Sequence, residues 1–336
     1  MILHSQACLS WLQYLSKGSA KALVGDIEDK HIQVIGLYDI YPHAFEYCAE
    51  VPLKGAPGMD LSCRYPAAKF LQSNPLKDNK LKSCGDFFHS FAVEQHKLLP
   101  EITPLSYCYL ETDTASGVSN KTALFLNIAG KLVPNLLPKV MQWQQREDVL
   151  EKVNAYLQQV KPQAGLWYIG FMNSRKETPL RLVLHSLNRR PIELLDIAAR
   201  LGKVQAVEQM KEFAGLLAQT GLCSFFLDVD VMPDGSLGDT VGLEVLLPKP
   251  MPEQQKELLR LPEFKKFFAL LQAQGAADAR LDLLTDCLFS REAPDKFQEP
   301  YVLLSKLSHI KLSWQQEKLL PAKAYLYMKA LQYVVR

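Results

Sequence analysis

Apolar and polar residues alternate along ten short segments of the chain, and these segments come in pairs. The clearest pair, residues 224–230 and 240–246, flanks a turn that contains Pro233, Asp234 and Gly235. Proline presets the first turn angle and glycine accepts a positive φ, so this sequence predicts a β-hairpin.

Four further pairs of alternating segments follow the same plan. Between the pairs, apolar residues at three- and four-residue spacing predict amphipathic helices over 136–160, 192–220 and 252–274. This repeated order of hairpins and helices predicts an α+β fold: a closed antiparallel barrel of about ten strands (five ββ hairpins) surrounded by helices. The other paired segments are 45–51 with 59–65, 107–113 with 122–128, 167–172 with 180–185, and 309–314 with 322–328.

Alternation gives each hairpin an apolar face for the helices and a polar face for the lumen. The predicted apolar faces include Ile310, Leu312 and Trp314 in the last hairpin, and Trp167, Ile169 and Phe171 in the third. The polar faces carry Glu46, Glu50, Asp60, Ser62 and Arg64; Tyr107, Tyr109, Glu111, Asp113, Phe125 and Asn127; Tyr168, Gly170, Arg181 and His185; Phe226, Asp228, Asp230, Gly242 and Glu244; and His309, Lys311, Ser313, Lys323, Tyr325 and Tyr327.

An open antiparallel sheet covered by helices on one face would show the same alternation, with the polar face in solvent. The choice of polar-face residues favours the closed barrel. A solvated face of this extent would carry more Lys, Thr and Glu, whereas tyrosines suit a site that is partly apolar and partly hydrogen-bonding.

Composition adds few constraints. The 336 residues, 48% of them hydrophobic, can form a single barrel domain over 1–336 with a long loop near 66–83. A net charge of +2 predicts neither a nucleic-acid nor a membrane partner. Seven scattered cysteines without a CxxC pair indicate a reducing, cytoplasmic location. The amphipathic segment 1–17 predicts a docked helix rather than a signal peptide, and no run approaches the ~20 apolar residues of a membrane span.

The common phosphate, nucleophile and metal signatures are missing from the sequence: GxGxxG, the Walker loop, GxSxG, HExxH and a DDxxD-like cluster. The chemistry must therefore be sought on the strands. Five ββ hairpins with cations and tyrosines on the polar face resemble the ABBA (PT-barrel) prenyltransferases, which include enzymes that modify indoles and cyanobacterial ribosomal peptides. The segments SFFLDVD, VGLEVLL, LSHIKLSW and AKAYLYM also resemble uncharacterised proteins of bacterial ribosomal-peptide (RiPP) natural-product clusters, a cyanobactin-like setting.

The resemblance implies metal-independent transfer of an isoprenyl group from an allylic diphosphate to a peptide or aromatic acceptor in natural-product biosynthesis. It implies isoprenyl diphosphate as co-substrate, no required cofactor, no metal site, and magnesium at most as a stimulant. Glu46 is the implied proton acceptor, with Glu111 and Glu244 in reserve. The implied diphosphate ligands are Arg64, Arg181, Lys311 and Lys323, of which Lys323 and Tyr325 match the family's Lys-x-Tyr strand pattern. The implied shield of the allylic cation is Tyr107, Tyr109, Tyr168, Tyr325 and Tyr327.

The acidic residues on the same faces leave alternatives open. If carboxylates pair with the cations, the barrel fits a non-catalytic partner protein that binds a precursor peptide. The acids could instead receive a cationic acceptor, such as an arginine or lysine of a peptide. A third possibility is another peptide-tailoring enzyme on the same barrel, for which His185 and His309 are the clue.

Overall fold

The computed structural model describes residues 4–38, 46–72, 81–112, 122–128, 130–186, 191–248, 251–292 and 301–332. Within these ranges, all strands belong to one antiparallel sheet. The strands are β1 (Glu46–Pro52), β2 (Asp60–Pro66), β3 (Tyr107–Thr112), β4 (Ala123–Asn127), β5 (Ala164–Phe171), β6 (Leu180–Ser186), β7 (Ser224–Val231), β8 (Leu237–Leu246), β9 (Phe289–Glu292), β10 (Tyr301–Gln315), β11 (Lys318–Leu319) and β12 (Lys323–Gln332).

The sheet closes on itself. Strands β1 to β8 pair in chain order, β8 pairs with β10, β10 with β12, and β12 returns to β1. Ten strands therefore form a closed barrel, as the sequence predicts, while β9 and β11 are short additions to β10. Closure removes the exposed edges that an open sheet would present. It also excludes the alternative of an open sheet with a solvated polar face.

The turn between β7 and β8 has the predicted chemistry. Gly235 has a φ of +80°, and its amide donates to the Met232 carbonyl at 2.9 Å. The Asp234 carboxylate accepts from the Ser236 amide at 2.9 Å. The glycine thus supplies a left-handed conformation that other residues adopt only with strain.

Helices surround the barrel, and each long helix predicted from periodicity is divided in two. The break at 144–149 includes Gln145 at φ 53°, the break at 201–203 includes Gly202 at φ 77°, and Leu261 is extended before Pro262. A residue with positive φ ends a helix, and so does a following proline. Neither alters the three- and four-residue spacing of apolar residues from which the helices were predicted. The α-helices are α1 (His4–Leu15), α2 (Lys21–Val24), α3 (Asp29–Tyr38), α4 (Lys82–Leu98), α5 (Val133–Trp143), α6 (Leu150–Val160), α7 (Pro191–Arg200), α8 (Val204–Ala218), α9 (Pro252–Leu259) and α10 (Pro262–Ala273).

The hydrophobic core lies between these helices and the outer face of the barrel. Ile310, Leu312 and Trp314 of β10 are fully buried there, as predicted. Helix α1 is docked on the barrel as the sequence predicts: the indole nitrogen of Trp11 donates to Ser305 at 2.8 Å. Because the helices cover the apolar face, the polar side chains of the strands are directed into the lumen.

Some predictions fall on parts of the chain that lie outside the described residues: Phe45, Asp113 and residues 73–80 of the predicted long loop. The described start of that loop forms a short 3₁₀ helix, Ala67–Phe70. Every helix within the described ranges is too short or too polar to span a lipid bilayer. The seven cysteines form no disulfide.

Candidate active site

The lumen contains a cavity of about 180 Å³ that is lined by most of the predicted site residues. All ten barrel strands contribute residues, because inward-facing positions alternate along every strand of a barrel. The predicted residues that line it are Arg64, Arg181, Lys311, Tyr109, Tyr168, Tyr325, Tyr327, Glu46, Glu111 and Glu244.

Two predicted residues lie beside this cavity rather than on its wall. Lys323 is the register partner of Lys311, yet its side chain lines a second cavity of about 290 Å³ together with Glu50 and Asp60. Tyr107 lies beneath Arg64, whose guanidinium carbon is 3.4 Å from the ring centroid. Lys323 and Tyr107 can therefore act at the border of the main cavity.

Arg64 joins a carboxylate and two tyrosine rings. Its Nη1 atom is 2.8 Å from Oε2 of Glu46, the residue opposite it on β1, and its guanidinium carbon is 5.6 Å from the Tyr109 ring centroid. The hydroxyl of Tyr327 donates to the other oxygen of Glu46. Glu46, the first choice for a proton acceptor, is thus held by a cation and a phenol.

Arg181 is bound to Asp230 by two parallel hydrogen bonds. Nε donates to Oδ1 at 2.8 Å and Nη2 donates to Oδ2 at 2.9 Å. Arg175, from the turn after β5, adds a contact of 3.2 Å to Oδ2. Burial alone would raise the pKa of Asp230, but Arg181 and Arg175 lower it overall, so the pair is charged.

Lys311 lies between two carboxylates. Its ammonium donates to Asp228 and, at 3.2 Å, to Glu244 on the neighbouring strand. Space for Asp228 comes from Gly242, where an added Cβ would lie 3.0 Å from the Asp228 Cβ. Burial and the nearby Glu244 raise the pKa of Asp228 to about 6, although Lys311 and Arg181 oppose this shift.

Lys323 pairs with Glu50, which also accepts a hydrogen bond from the Tyr325 hydroxyl. Burial would raise the pKa of Glu50, but Lys323 and Tyr325 lower it overall. Each of the four cations predicted to hold diphosphate therefore has a carboxylate partner. This pairing is the arrangement expected of a non-catalytic partner protein that binds a precursor peptide.

Glu111 differs from the other glutamates of the cavity. Within the described part of the chain its side chain makes neither a hydrogen bond nor an ion pair, and its register partners, Ser62 and Ala123, carry no charge. Burial, with a smaller effect of the Glu50 carboxylate, raises the pKa of Glu111 to about 7, although Arg181, Lys323 and Lys311 oppose this shift. Glu111 can therefore exchange a proton near neutral pH.

Aromatic rings form one wall of the cavity. The hydroxyls of Tyr109 and Tyr168 are 2.9 Å apart and their rings are nearly perpendicular, with centroids 5.3 Å apart. The Phe125 ring covers Gly170, where an added Cβ would be 2.4 Å from its Cε1 atom. On β10 and β12, which do not neighbour β3 to β5, His309 stacks on Tyr325 with a centroid distance of 4.0 Å. The tyrosine wall, formed by Tyr109, Tyr168 and the Phe125 ring between them, offers aromatic rings to a cation.

The prediction that Trp167 belongs to the outer apolar face is wrong. The register of β5 and β6 shifts between Leu166 and Tyr168, which leaves Trp167 on a bulge. Its ring centroid lies 4.9 Å from that of His185 and 6.0 Å from that of Phe226, both predicted to face the lumen, and it is 37% exposed. Alternation alone could not reveal this bulge.

The two histidines have separate surroundings. His309 lines the main cavity, whereas His185 contacts Trp167 and Phe226. Among the described residues, no group of three or more His, Cys, Asp or Glu side chains could hold a metal ion. Cavity residues that sequence reasoning did not single out are Cys48, Val183, Leu246 and Ser308; the last lies at a register shift of β10 that no pattern indicated.

Comparison with solved structures finds the same architecture over nearly the whole chain. The crystal structure of AnaPT from Neosartorya fischeri matches with a TM-score of 0.60 and 10% identity, covering 98% of this chain and 95% of that one. The 6-dimethylallyltryptophan synthase from Micromonospora olivasterospora, in complex with DMASPP and Trp, matches with a TM-score of 0.57 and 12% identity, covering 97% of both chains. The 5-dimethylallyltryptophan synthase from Streptomyces coelicolor gives 0.56 and 12%, covering 99% of both.

No family model matches the sequence, and no curated protein matches it. The structural likeness establishes the ABBA (PT-barrel) fold and confirms the fold resemblance drawn from the hairpin pattern. At identities of 10–12% the likeness concerns the architecture alone. The chemistry depends on the side chains of the lumen.

Proposed function

We propose that the protein transfers an isoprenyl group from an allylic diphosphate to a peptide or aromatic acceptor without a metal ion, in ribosomal-peptide natural-product biosynthesis. The observation that carries this proposal is the composition of the cavity. Arg64, Arg181 and Lys311 surround the same cavity of about 180 Å³ as Tyr109 and Tyr168. An anion site beside a tyrosine wall matches the two charges that separate in the reaction.

In the proposed reaction, the allylic C–O bond breaks and its electron pair leaves with the diphosphate. Arg64, Arg181 and Lys311, with Lys323 at the border, neutralise this leaving group. The tyrosine wall stabilises the allylic cation through the ring faces and excludes water. An acceptor atom then forms the new bond to carbon and loses a proton. Glu111 takes that proton most readily, because Glu46 and Glu244 already contact cations.

Diphosphate must compete with the carboxylates that hold these cations. An anion with several charges can displace a single carboxylate from Lys311 or Arg64, provided that the displaced acid is protonated or finds another partner. The pKa of Asp228, raised to about 6 by burial and by Glu244, makes protonation accessible at this position. Donor binding is therefore expected to take up protons.

A second function is favoured by those same ion pairs: non-catalytic binding of a precursor peptide. Asp230 binds Arg181 through both oxygens, and Asp228 and Glu244 share Lys311. If these pairs persist, the lumen offers hydrogen-bonding and aromatic surface to a peptide but no free cation to diphosphate. The two functions differ in whether the allylic diphosphate binds.

Calorimetric titration with dimethylallyl and geranyl thiolodiphosphates, in EDTA and in magnesium, separates the two functions. Saturable binding in EDTA, followed by prenylation of a peptide or tryptophan on exchange for the reactive diphosphate, supports transfer. Absence of binding in both solutions contradicts transfer and leaves peptide binding, which is then measured with candidate precursor peptides.

A further inference from the structure

We propose that the acceptor taken by this lumen carries a positive charge, namely a guanidinium or ammonium group of the kind that an arginine or lysine side chain presents. The inference rests on the proposed function for the role of that group as acceptor, and it narrows the acceptor to one chemical class.

On the inner face of the barrel, cations and carboxylates are held in pairs. Arg64, Arg181, Lys311 and Lys323 each contact a carboxylate, and Arg175 adds a second cation to Asp230. When diphosphate draws the lysines and arginines toward itself, the carboxylates lose their partners. A cationic acceptor replaces those partners, whereas a neutral acceptor leaves the acids uncompensated. The carboxylates are Glu46, Glu50, Glu111, Asp228, Asp230 and Glu244.

The lumen also contains one carboxylate, Glu111, and one carboxylate oxygen, Oδ1 of Asp228, that accept no hydrogen bond from the described residues. Glu111 lines the cavity between the uncharged register partners Ser62 and Ala123. Asp228, 3% exposed, has a buried Oδ1 atom without a hydrogen-bond partner among the described residues. Buried carboxylate oxygens usually accept a hydrogen bond, so the Oδ1 atom of Asp228 indicates that a donor belongs in the cavity, and the half-buried Glu111 carboxylate offers a second acceptor there.

Aromatic rings in the cavity also suit a flat cation. Tyr109, Tyr168 and Tyr325 line the same cavity as Glu111. The chain already shows how a flat cation binds beside such rings, since the Arg64 guanidinium stacks on Tyr107 at 3.4 Å while contacting Glu46 at 2.8 Å. A guanidinium between Glu111 and the tyrosines would make the same two kinds of contact.

A guanidinium or ammonium nitrogen has no free electron pair, so the Glu111 carboxylate must take one N–H proton before or as the C–N bond forms. The electron pair freed on nitrogen bonds to the allylic carbon, while the C–O bond breaks and its pair leaves with the diphosphate. The product of transfer to a guanidinium is an N-prenyl guanidinium. The charged groups that act on Glu111 are Glu50 from β1, Arg181 from β6, Lys311 from β10 and Lys323 from β12.

Binding of a positively charged acceptor should release protons from the protein into the buffer. Burial and Glu50 raise the pKa of Glu111 to about 7, so this group is about half protonated at pH 7. A cation that binds beside it favours the ionised form, and up to about half a proton is released. A neutral ligand of the same shape releases none, and diphosphate alone causes uptake.

The test is calorimetry at pH 7 in PIPES and in ACES, two buffers of different ionisation enthalpy, on protein loaded with dimethylallyl thiolodiphosphate. The probes are the peptide Ac-Gly-Arg-Gly-NH2 and its citrulline counterpart, which has nearly the same shape without the charge. The expected result is at least about tenfold tighter binding of the arginine peptide, with proton release. Glu111→Gln should abolish the release and weaken arginine binding about tenfold, whereas the exposed Glu208→Gln should do neither.

Equal affinity for the arginine and citrulline peptides, or binding of neither, overturns the charge assignment and leaves isoprenyl transfer intact. If the thiolodiphosphate itself does not bind, isoprenyl transfer is contradicted. Selective binding of the arginine peptide to the unloaded protein would then still support cation recognition by the lumen.

Discussion

The Arg181 guanidinium binds both carboxylate oxygens of Asp230 across β6 and β7, with distances of 2.8 and 2.9 Å. Both side chains are buried. Replacing either residue alone leaves an uncompensated charge, so Asp230→Asn should lower the free energy of unfolding by about 3–5 kcal/mol in urea.

The double variant Arg181→Met/Asp230→Leu distinguishes two contributions to the free energy of unfolding: the cost of a buried charge without a partner and the stabilisation by the ion pair itself. We expect it to unfold at a higher urea concentration than Asp230→Asn, because no buried charge is left without a partner. A double variant as unstable as the sum of the two single ones would contradict this account of the ion pair.

The pH dependence of stability tests the environment of Glu111. Its folded-state pKa is raised from 4.5 to about 7 by burial and by Glu50. Glu111 therefore binds its proton more tightly in the folded state, and the stability this contributes is present below about pH 4.5 and lost as the pH rises through about 7. Glu111→Gln should raise the free energy of unfolding by at most about 3 kcal/mol at pH 8, and by much less at pH 5.

The matched control is Glu208→Gln. Glu208 is an exposed glutamate whose side chain is 79% accessible and pairs with Lys211 on the surface. Its replacement should change the free energy of unfolding by less than about 1 kcal/mol at both pH values. If Glu111→Gln behaves like this control, Glu111 is not desolvated in the folded protein.

The contact between Phe125 and Gly170 predicts a packing defect with a specific rescue. A Cβ at position 170 would lie 2.4 Å from the Phe125 ring, so Gly170→Ala must push that ring toward the lumen. We expect a loss of about 1–3 kcal/mol in urea unfolding. Phe125→Leu in the Gly170→Ala background should recover part of it, and a variant as stable as the parent would show that the ring is not held there.

Lys323→Met tests the role of the cation at the border of the cavity. It should weaken binding of geranyl thiolodiphosphate about tenfold, because a charge-assisted contact is lost. The Lys323 side chain is 46% exposed, so the fold should survive. Glu50→Gln breaks the same ion pair but keeps the lysine. The Glu50→Gln variant should bind geranyl thiolodiphosphate at least as well as the parent. If it instead loses as much affinity as Lys323→Met, the Lys323–Glu50 ion pair, and not the lysine charge, is responsible for the effect.

Alternation along the strands predicted the barrel because most inward positions are polar and most outward ones apolar. Lys311 and Trp314, on opposite faces of β10, illustrate this, and the Pro-Asp-Gly turn before β8 follows from the conformation of its glycine. The two-residue alternation of side chains along a strand is enough to place Tyr109 and Tyr168 in the lining of the cavity.

The bulge at Trp167 and the breaks between paired helices could not be predicted in this way. A bulge depends on how two strands pair, which the alternation of one strand does not record. The carboxylate partner of each cation could not be predicted from the sequence either. Lys311 contacts Asp228, 83 residues away in the chain, because the pairing of β8 with β10 closes the barrel.

The most direct test of isoprenyl transfer in this lumen is a crystal structure of the protein with geranyl thiolodiphosphate, grown in EDTA. The proposed function predicts the diphosphate within hydrogen-bond distance of Lys311 and Arg181, with Asp228 turned away and the prenyl chain against Tyr109 and Tyr168. Under saturating ligand, a lumen that retains the Lys311–Asp228 pair and holds no diphosphate would contradict it.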